Sequence, residues 1–250
     1  MQRYFVEKEC IKDNYAEITG KDYHHIKDVM RMKPNDKIIL LDNSGNEYLC
    51  EIININQKVS LNILNCKINQ NELLSNVTIA QGLVHKNKIE EVVRRIVELG
   101  AHSYVNVIME RSNIKLKNKD DYKLTRLETI VKEASEQSER GKLLDLKGML
   151  TFKDFLSFSN NYDYKFVCYE EEGRNNSNSI YNFMNDILNK NILVLVGPEG
   201  GISKSEIEQL TNNGFVLIGL GKRILRTETA PLMIMSILSS LLDFKGERND

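Results

Sequence analysis

Two rhythms of apolar and polar residues divide the chain. Over residues 1–70 the apolar stretches are short and mostly alternate with polar neighbours. RYFV opens this part, a short polar helix is expected around His24–Met30, and Lys37–Leu41 reads as a strand. Asp42 to Asn46 is dense in turn formers. Tyr48, Cys50 and Ile52 within Glu47–Ile55, then Val59, Leu61 and Ile63, follow the period of half-buried strands. Lys67–Ser75 is polar, aperiodic and expected to be a linker. From Val77 the rhythm becomes strand–helix alternation. Val77–Val84, Tyr104–Met109, Lys147–Leu150, Lys165–Tyr169, Ile192–Val196 and Phe215–Leu220 read as strands. Ile192–Val196 is apolar throughout, as strands buried in parallel sheets are. Helices are predicted over Lys88–Leu99, with Ile89, Val92, Val93, Ile96 and Leu99 on one face, and over Lys123–Ser138, Thr151–Phe158 and Tyr181–Leu188. Glu170–Ser179 reads as a flexible polar loop. Ser203 and Glu206 form a capping-box pair for a further helix, and Pro231 suits the first turn of the last one. The pattern predicts an α/β fold: a small β-rich domain over 1–70, then a domain over 71–250 with a mostly parallel sheet. Ligands of such a sheet sit at the C-terminal ends of its strands.

Composition narrows this only a little. The chain has 250 residues, 41% hydrophobic and 28% charged, with a formal net charge of −1, so bulk charge does not announce a nucleic-acid binder. Any basic surface would be local, such as Lys86, Lys88, Arg94 and Arg95, or Arg111, Lys115 and Lys117. No apolar run approaches the roughly 20 residues that span a bilayer. MQRYFVEKEC lacks the apolar core of a secretory signal. The four cysteines are scattered without a CxxC pair, and adjacent His24 and His25 point apart with no third ligand nearby. No metal site and no membrane partner is expected, and a cytoplasmic location is.

The candidate chemistry lies between Leu193 and Leu242, in the loops GPEGG and GKRILRTETAP. Neither matches GxGxxG or GxxxxGK[ST], and the chain has no GxSxG or HExxH, so NAD dehydrogenase, P-loop NTPase and α/β-hydrolase readings lose support. Glycines beside an arginine, glutamates and a threonine at neighbouring strand ends suit a ligand site whose backbone approaches the ligand closely.

LVGPEGG followed by a glutamate (Leu195–Glu206) and LGKRILRTETAP (Leu220–Pro231) resemble the ribosomal RNA methyltransferases of the SPOUT class that methylate N3 of a uridine in 16S (small-subunit) RNA. The resemblance extends through Lys86–Ala101, Glu110–Ser112, KEASEQSER (Lys132–Arg140) and, near the N-terminus, RYF and His24–Ile38, which are similar to that family's PUA-like β-barrel. The chain departs from the pattern in three places: Glu139 and Asn35 each stand where the family usually has glycine, and the proline usual a few residues after Glu139 is missing. The resemblance implies a trefoil-knotted domain, a homodimer whose sites are completed by the partner chain, S-adenosyl-L-methionine as cofactor, and 16S rRNA, within the small ribosomal subunit, as substrate.

The same resemblance places the cofactor against Val196, Gly197, Gly201, Leu220, Gly221, Ile224 and Leu225, with Glu170 as a further wall. Tight turns alone would also account for the glycines. Methyl transfer to uracil N3 needs the acceptor aligned, its proton removed and its oxygens matched by a cation or donors. Arg226 is the candidate cation; its structural alternative is an ion pair with Glu199 or Glu228. Glu228 is a candidate proton acceptor, although a carboxylate just before a helix also favours the helix dipole. Thr229 is as well suited to capping the last helix as to touching substrate. Arg111, Gln137 and Arg140 would meet RNA or the neighbouring subunit, or else form a solvated helix face. Arg3, His25 and Arg31 are candidates for RNA backbone contacts. Lys86 is a further candidate, whereas Lys88, Arg94 and Arg95 read as a solvated face. Two other readings stay open at this level: a ribose 2′-O-methyltransferase of the same class, and a non-catalytic RNA-binding protein.

Overall fold

A computed structural model describes residues 1–113, 124–175 and 178–246, so Lys115 and Lys117 lie outside the described residues. The chain divides into one unit of Met1–Glu72 with Lys132–Leu143 and a second of Leu73–Val131 with Leu144–Asp250. Residues 132–143, which the sequence reading includes in the 71–250 domain, cluster with the first unit.

The first unit is built on β1 (Arg3–Phe5), β2 (Ile11–Lys12), β3 (Tyr15–Ile18), β4 (Lys37–Leu41), β5 (Asn46–Ile55) and β6 (Val59–Ile68). They form one sheet in the order β1-β4-β5-β6-β3-β2, antiparallel except for β1 on β4. Alternation sends Ile38, Leu40, Cys50, Ile52, Val59 and Leu61 into a core with Tyr4, Ala16, Ile18 and Ile26. The helix expected at His24–Met30 begins earlier, as α1 (Gly20–His24), and runs into a π-helical turn over His25–Val29 that seats Ile26 in that core. Lys67–Ser75 is no free linker. β6 runs on to Ile68, Asn69 is buried, and Glu72 collects Arg140 together with the Gly141 and Lys142 backbone N–H groups.

Both departures from the family's glycines occur at positive φ. Asn35 has φ 75° and Glu139 has φ 60°. Asparagine tolerates the left-handed region, whereas an ordinary L-residue there costs roughly 1–2 kcal/mol. At Glu139 three contacts offset that cost. Its carboxylate accepts from Arg3 at 3.0 Å, and its carbonyl accepts from the side-chain amides of Asn69 and Asn71.

Helix α3 (Leu124–Gln137) contributes Lys132 and Glu136 to the first unit. Glu136 accepts the Phe5 backbone N–H at 3.0 Å, while Lys132 donates to Asp22 at 2.6 Å and lies 3.8 Å from Glu136. Burial, reinforced by Asp22 and Glu133 and opposed by the Phe5 N–H and Lys132, pushes the Glu136 carboxyl from 4.5 up to about 7. Because the folded state holds this proton more tightly than the unfolded chain, the stabilising contribution is complete below pH 4.5 and is lost as pH rises through about 7. Glu136→Gln should therefore stabilise the protein at pH 8 by on the order of 1–3 kcal/mol and leave it nearly unchanged at pH 4.5. Denaturant midpoints at the two pH values check this; equal effects at both would contradict it.

The second unit carries six parallel strands: β7 (Asn76–Gly82), β8 (Ser103–Ile108), β9 (Asp145–Thr151), β10 (Tyr164–Cys168), β11 (Asn191–Val196) and β12 (Val216–Ile218). Their order is β12-β10-β11-β7-β8-β9. The helices are α2 (Lys86–Glu98), α3, α4 (Phe152–Phe158), α5 (Glu170–Asn175), α6 (Lys204–Asn212) and α7 (Thr229–Gly246). Ala80, Val105, Val107, Val167, Leu193 and Leu195 from the sheet meet Phe155, Leu210 and Phe215 in one core. Thr151 caps α4, and Ser203 with Glu206 caps α6 in a complete capping box. The capping carboxylate also reaches out of its helix, since Glu206 Oε1 accepts the Glu110 backbone N–H at 2.8 Å.

Three local expectations are corrected. Glu170–Asn175 is helical rather than a loop, with three glutamates in its first turn where the helix dipole favours them. Tyr181–Leu188 is not a helix: only a 3-10 turn forms over Ile180–Phe183, capped by Ser179, because Asn182, Asn185 and Asp186 are weak helix formers. The last strand is shorter than Phe215–Leu220, and Phe215 instead packs at 5.8 Å from Phe155.

Candidate active site at the ends of the parallel strands

The C-terminal ends of β10 and β11 and the segment leaving β12 surround a cleft of about 620 Å3 in the second unit. Cys168–Glu171 forms one wall, Val196–Ile202 a second and Ile224–Glu228 a third, with Lys88, Arg111 and Lys204 at the margin. The cleft falls within the roughly 300–1,000 Å3 usual for small-molecule sites and occupies the expected edge of a parallel sheet.

Close backbone approach shapes these walls. Gly219, at the exit of β12, lies against Gly173 of α5, and a methyl group at Gly219 would overlap the Gly173 backbone and come within 2.7 Å of the Glu172 carbonyl carbon. Gly82, at the end of β7, lies in the same way against the ring and nitrogen of Pro198 in GPEGG.

Below the cleft runs a buried polar chain. Tyr104 OH donates to Gln81 Oε1 at 2.8 Å and is 3.1 Å from Asn106 Oδ1. Gln81 Nε2 donates to the Thr227 carbonyl at 2.9 Å, and Thr227 Oγ1 donates to the Gly197 carbonyl at 2.8 Å. Two central strands are thereby tied to both cleft loops through groups with low exposure to water, where hydrogen bonds are stronger and unpaired groups costlier. Neither Gln81 nor Thr227 is among the site residues expected from the sequence. A glutamine and an asparagine inside otherwise apolar strands were the available signal.

Above the chain sits an ionic bridge. Lys88 Nζ lies 2.7 Å from Glu199 Oε1 and 3.2 Å from Glu228 Oε2. This corrects the expectation of a solvated face for Lys88, whose side chain is only 32% exposed. The two carboxylates hold the Lys88 ammonium above its ordinary range, Glu199 more strongly than Glu228. Burial works to raise the Glu228 carboxyl, but its own backbone N–H, Lys88 and then Arg226 outweigh it and hold that group below the usual range.

Arg226 is exposed at the cleft wall, and among the described residues its guanidinium makes no hydrogen bond or ion pair. Its carbonyl accepts from Thr229 and Ala230 at the start of α7. Thr229 is the first helical residue, which leaves Glu228 in the capping position that the sequence reading offers to Thr229.

The cleft brings together Glu170, Val196, Gly197, Gly201, Ile224, Leu225, Arg226, Glu228 and Arg111, whose guanidinium is 3.4 Å from the Gly200 carbonyl. Leu220 and Gly221 do not line it; the Gly221 carbonyl packs against Gly173 instead. Lys86 lies off the cleft, 3.5 Å from Glu90. Arg3, His25, Arg31, Gln137 and Arg140 belong to the first unit. Arg3 is 9% exposed between Glu47 and Glu139, and Arg140 is 3% exposed against Glu72. Ion pairing and burial thus account for both arginines. The His25 ring nitrogen Nδ1 lies 3.0 Å from Tyr4 OH, while Arg31 and Gln137 are exposed. No three or more metal-ligating side chains cluster among the described residues, and no described helix is long and apolar enough to cross a membrane.

Comparison with known proteins agrees with this architecture. Residues 70–239 match the model of an RNA methyltransferase domain, and residues 18–64 match that of an RNA methyltransferase PUA domain. Ribosomal RNA small subunit methyltransferase E of Bacillus subtilis (strain 168) is 38% identical over 246 residues, 96% of each chain. Its counterpart in Synechocystis is 31% identical, covering 96% of this chain and 78% of that one. The crystal structure of ribosomal RNA small subunit methyltransferase E from Neisseria gonorrhoeae bound to S-adenosyl methionine superposes with a TM-score of 0.84 at 27% identity, over 98% and 99% of the two chains. The sheet order, the cleft at its C-terminal edge and these matches lead to one conclusion: the chain is a SPOUT-type RNA methyltransferase with an N-terminal PUA domain, and belongs to the ribosomal RNA small subunit methyltransferase E family.

Proposed function

We propose that this protein transfers the methyl group of S-adenosylmethionine to N3 of a uridine in 16S rRNA, acting in the cytoplasm as a homodimer on the small ribosomal subunit. The carrying observation is the Arg226 guanidinium, which makes no hydrogen bond or ion pair among the described residues, on the wall of a glycine-shaped cleft. The donor set fits the cofactor. Backbone at Val196, Gly197, Gly201, Ile224 and Leu225 suits an adenosine, and the carboxylates of Glu170 and Glu171 suit a sulfonium and an ammonium cation. Bound there, the cofactor supplies an electrophilic methyl group.

The chain's own groups do the rest. Methyl transfer would require N3 to be held in line with the donor by the cleft walls, and such alignment can supply up to roughly 7–11 kcal/mol in ideal cases. As the N3 proton leaves, charge gathers on the uracil oxygens, where Arg226 is positioned to meet it. Glu228 is a weak acceptor for that proton, because Lys88 and the helix start hold it ionised. In this proposal the proton passes to water at the open mouth of the cleft, and Glu228 holds the loop. Exposed Arg31, Gln137 and Arg111, with His25 and Lys86, are the proposed RNA contacts; Arg31 and His25 come from the N-terminal domain and Gln137 from the end of α3.

Nucleoside mass spectrometry of 16S rRNA from a deletion strain tests this reading. Loss of 3-methyluridine that returns with the gene is expected. Loss of a 2′-O-methyl mark with 3-methyluridine intact would assign ribose chemistry instead. Absence of heat with millimolar S-adenosylmethionine in calorimetry would leave only an RNA-binding role.

A further inference from the structure

We propose that Lys88 is a positioning residue for methyl transfer, holding Glu199 and Glu228 to each other so that neither carboxylate captures Arg226. The inference rests on the methyl transfer proposed above. Three separate segments meet at this ammonium: the first turn of α2, the GPEGG loop after β11 and the RTETA segment entering α7. Among the described residues no other cation stands within ion-pair distance of either carboxylate. Both carboxylates line the same cleft as Arg226, and Arg226 is already close enough to Glu228 to lower its carboxyl.

An arginine side chain is long, and its planar fork matches a carboxylate in bidentate fashion. Without Lys88, two uncompensated carboxylates would face a guanidinium that makes no hydrogen bond or ion pair among the described residues. An Arg226–carboxylate pair would then form in the resting protein. The cation needed as negative charge develops on the acceptor would start from a bound state, and the transition state would lose what the ground state gained. Lys88 therefore acts through Arg226. It also pins both loops to α2, a rigid element beside the sheet, which favours precise placement.

The test is methyl incorporation from labelled S-adenosylmethionine into small subunits purified from the deletion strain, with kcat and KM measured separately. Lys88→Met should lower kcat about 10- to 100-fold while cofactor affinity changes by less than about threefold, since the lost interaction matters mainly in the transition state. Lys88→Arg should keep most of the turnover. Adding Glu199→Gln and Glu228→Gln to Lys88→Met should raise kcat about tenfold above the single variant, a non-additivity expected only of coupled groups. A merely structural lysine would give the opposite order, with three changes worse than one. Lys88→Met at wild-type kcat, or the triple variant no faster than the single one, would overturn the proposal. Should Lys88→Met melt at assay temperature, Lys88→Gln replaces it in the same comparison. If the wild-type protein methylates no small-subunit RNA, the methyl-transfer reading itself fails and takes this inference with it.

Discussion

Arg226→Ala is expected to reduce kcat for methyl transfer by about 100- to 1,000-fold, the usual consequence of deleting one group aimed at developing charge. Cofactor affinity should stay within about threefold, less than 1 kcal/mol, because in the proposed mechanism Arg226 meets the uracil rather than the cofactor. Arg226 is exposed and makes no side-chain hydrogen bond or ion pair among the described residues, so truncation should change thermal stability little. Single-turnover methylation of deletion-strain subunits, with calorimetry for the cofactor, reads both quantities. A variant that binds both ligands and turns over normally would show that the guanidinium meets no charge in the transition state. An arginine serving only as loop structure would instead appear in the melting curve.

The contrast between Arg226 and the other arginines shows where sequence reasoning reaches its limit. Strands such as Ile192–Val196 are legible because burial on both faces demands an unbroken apolar run, and α6 is legible because its capping box is local. The loops GPEGG and RTETA are legible as a site because glycines and charges at adjacent strand ends have few other uses. The partners of Arg3 and Arg140 are not legible. Glu47, Glu139 and Glu72 lie 44, 136 and 68 residues away in the chain, and only the fold brings them within 3.0 Å. Lys88 fails for the same reason: on a helical wheel it is one polar residue among several, and its two carboxylates come from loops more than a hundred residues on. Gln81 is the intermediate case. A glutamine in a buried strand requires partners, but nothing in its neighbourhood identifies them as Thr227 and Tyr104. Helix α5 escapes because its residues are polar all round and glycine-interrupted, so its order comes from packing rather than from periodicity.

That packing carries the second large effect. Gly219→Ala is expected to weaken S-adenosylmethionine binding by about 100-fold or more, roughly 2.7 kcal/mol. The added methyl would overlap the backbone of Gly173, and the Glu172 carbonyl carbon would lie 2.7 Å away. No flexible side chain is present to move aside, so one backbone must yield. Overpacking of this kind costs typically 1–3 kcal/mol. Moving α5 displaces Glu170 and Glu171 from the cleft, whereas moving the β12 exit displaces Ile224 and Leu225. Either route opens the cofactor walls. The core beneath is untouched, since the added methyl meets only the Gly173 and Glu172 backbone and none of the core residues such as Phe215 and Leu210. The far-ultraviolet spectrum should therefore remain native while the cofactor isotherm flattens. Gly82→Ala provides the matched comparison, because its clash is with Pro198 and moves only the GPEGG wall. If Gly219→Ala binds cofactor as tightly as the wild type, the close crossing of α5 and the β12 exit does not shape the site, and the walls must be set by the Gln81–Thr227–Gly197 chain alone.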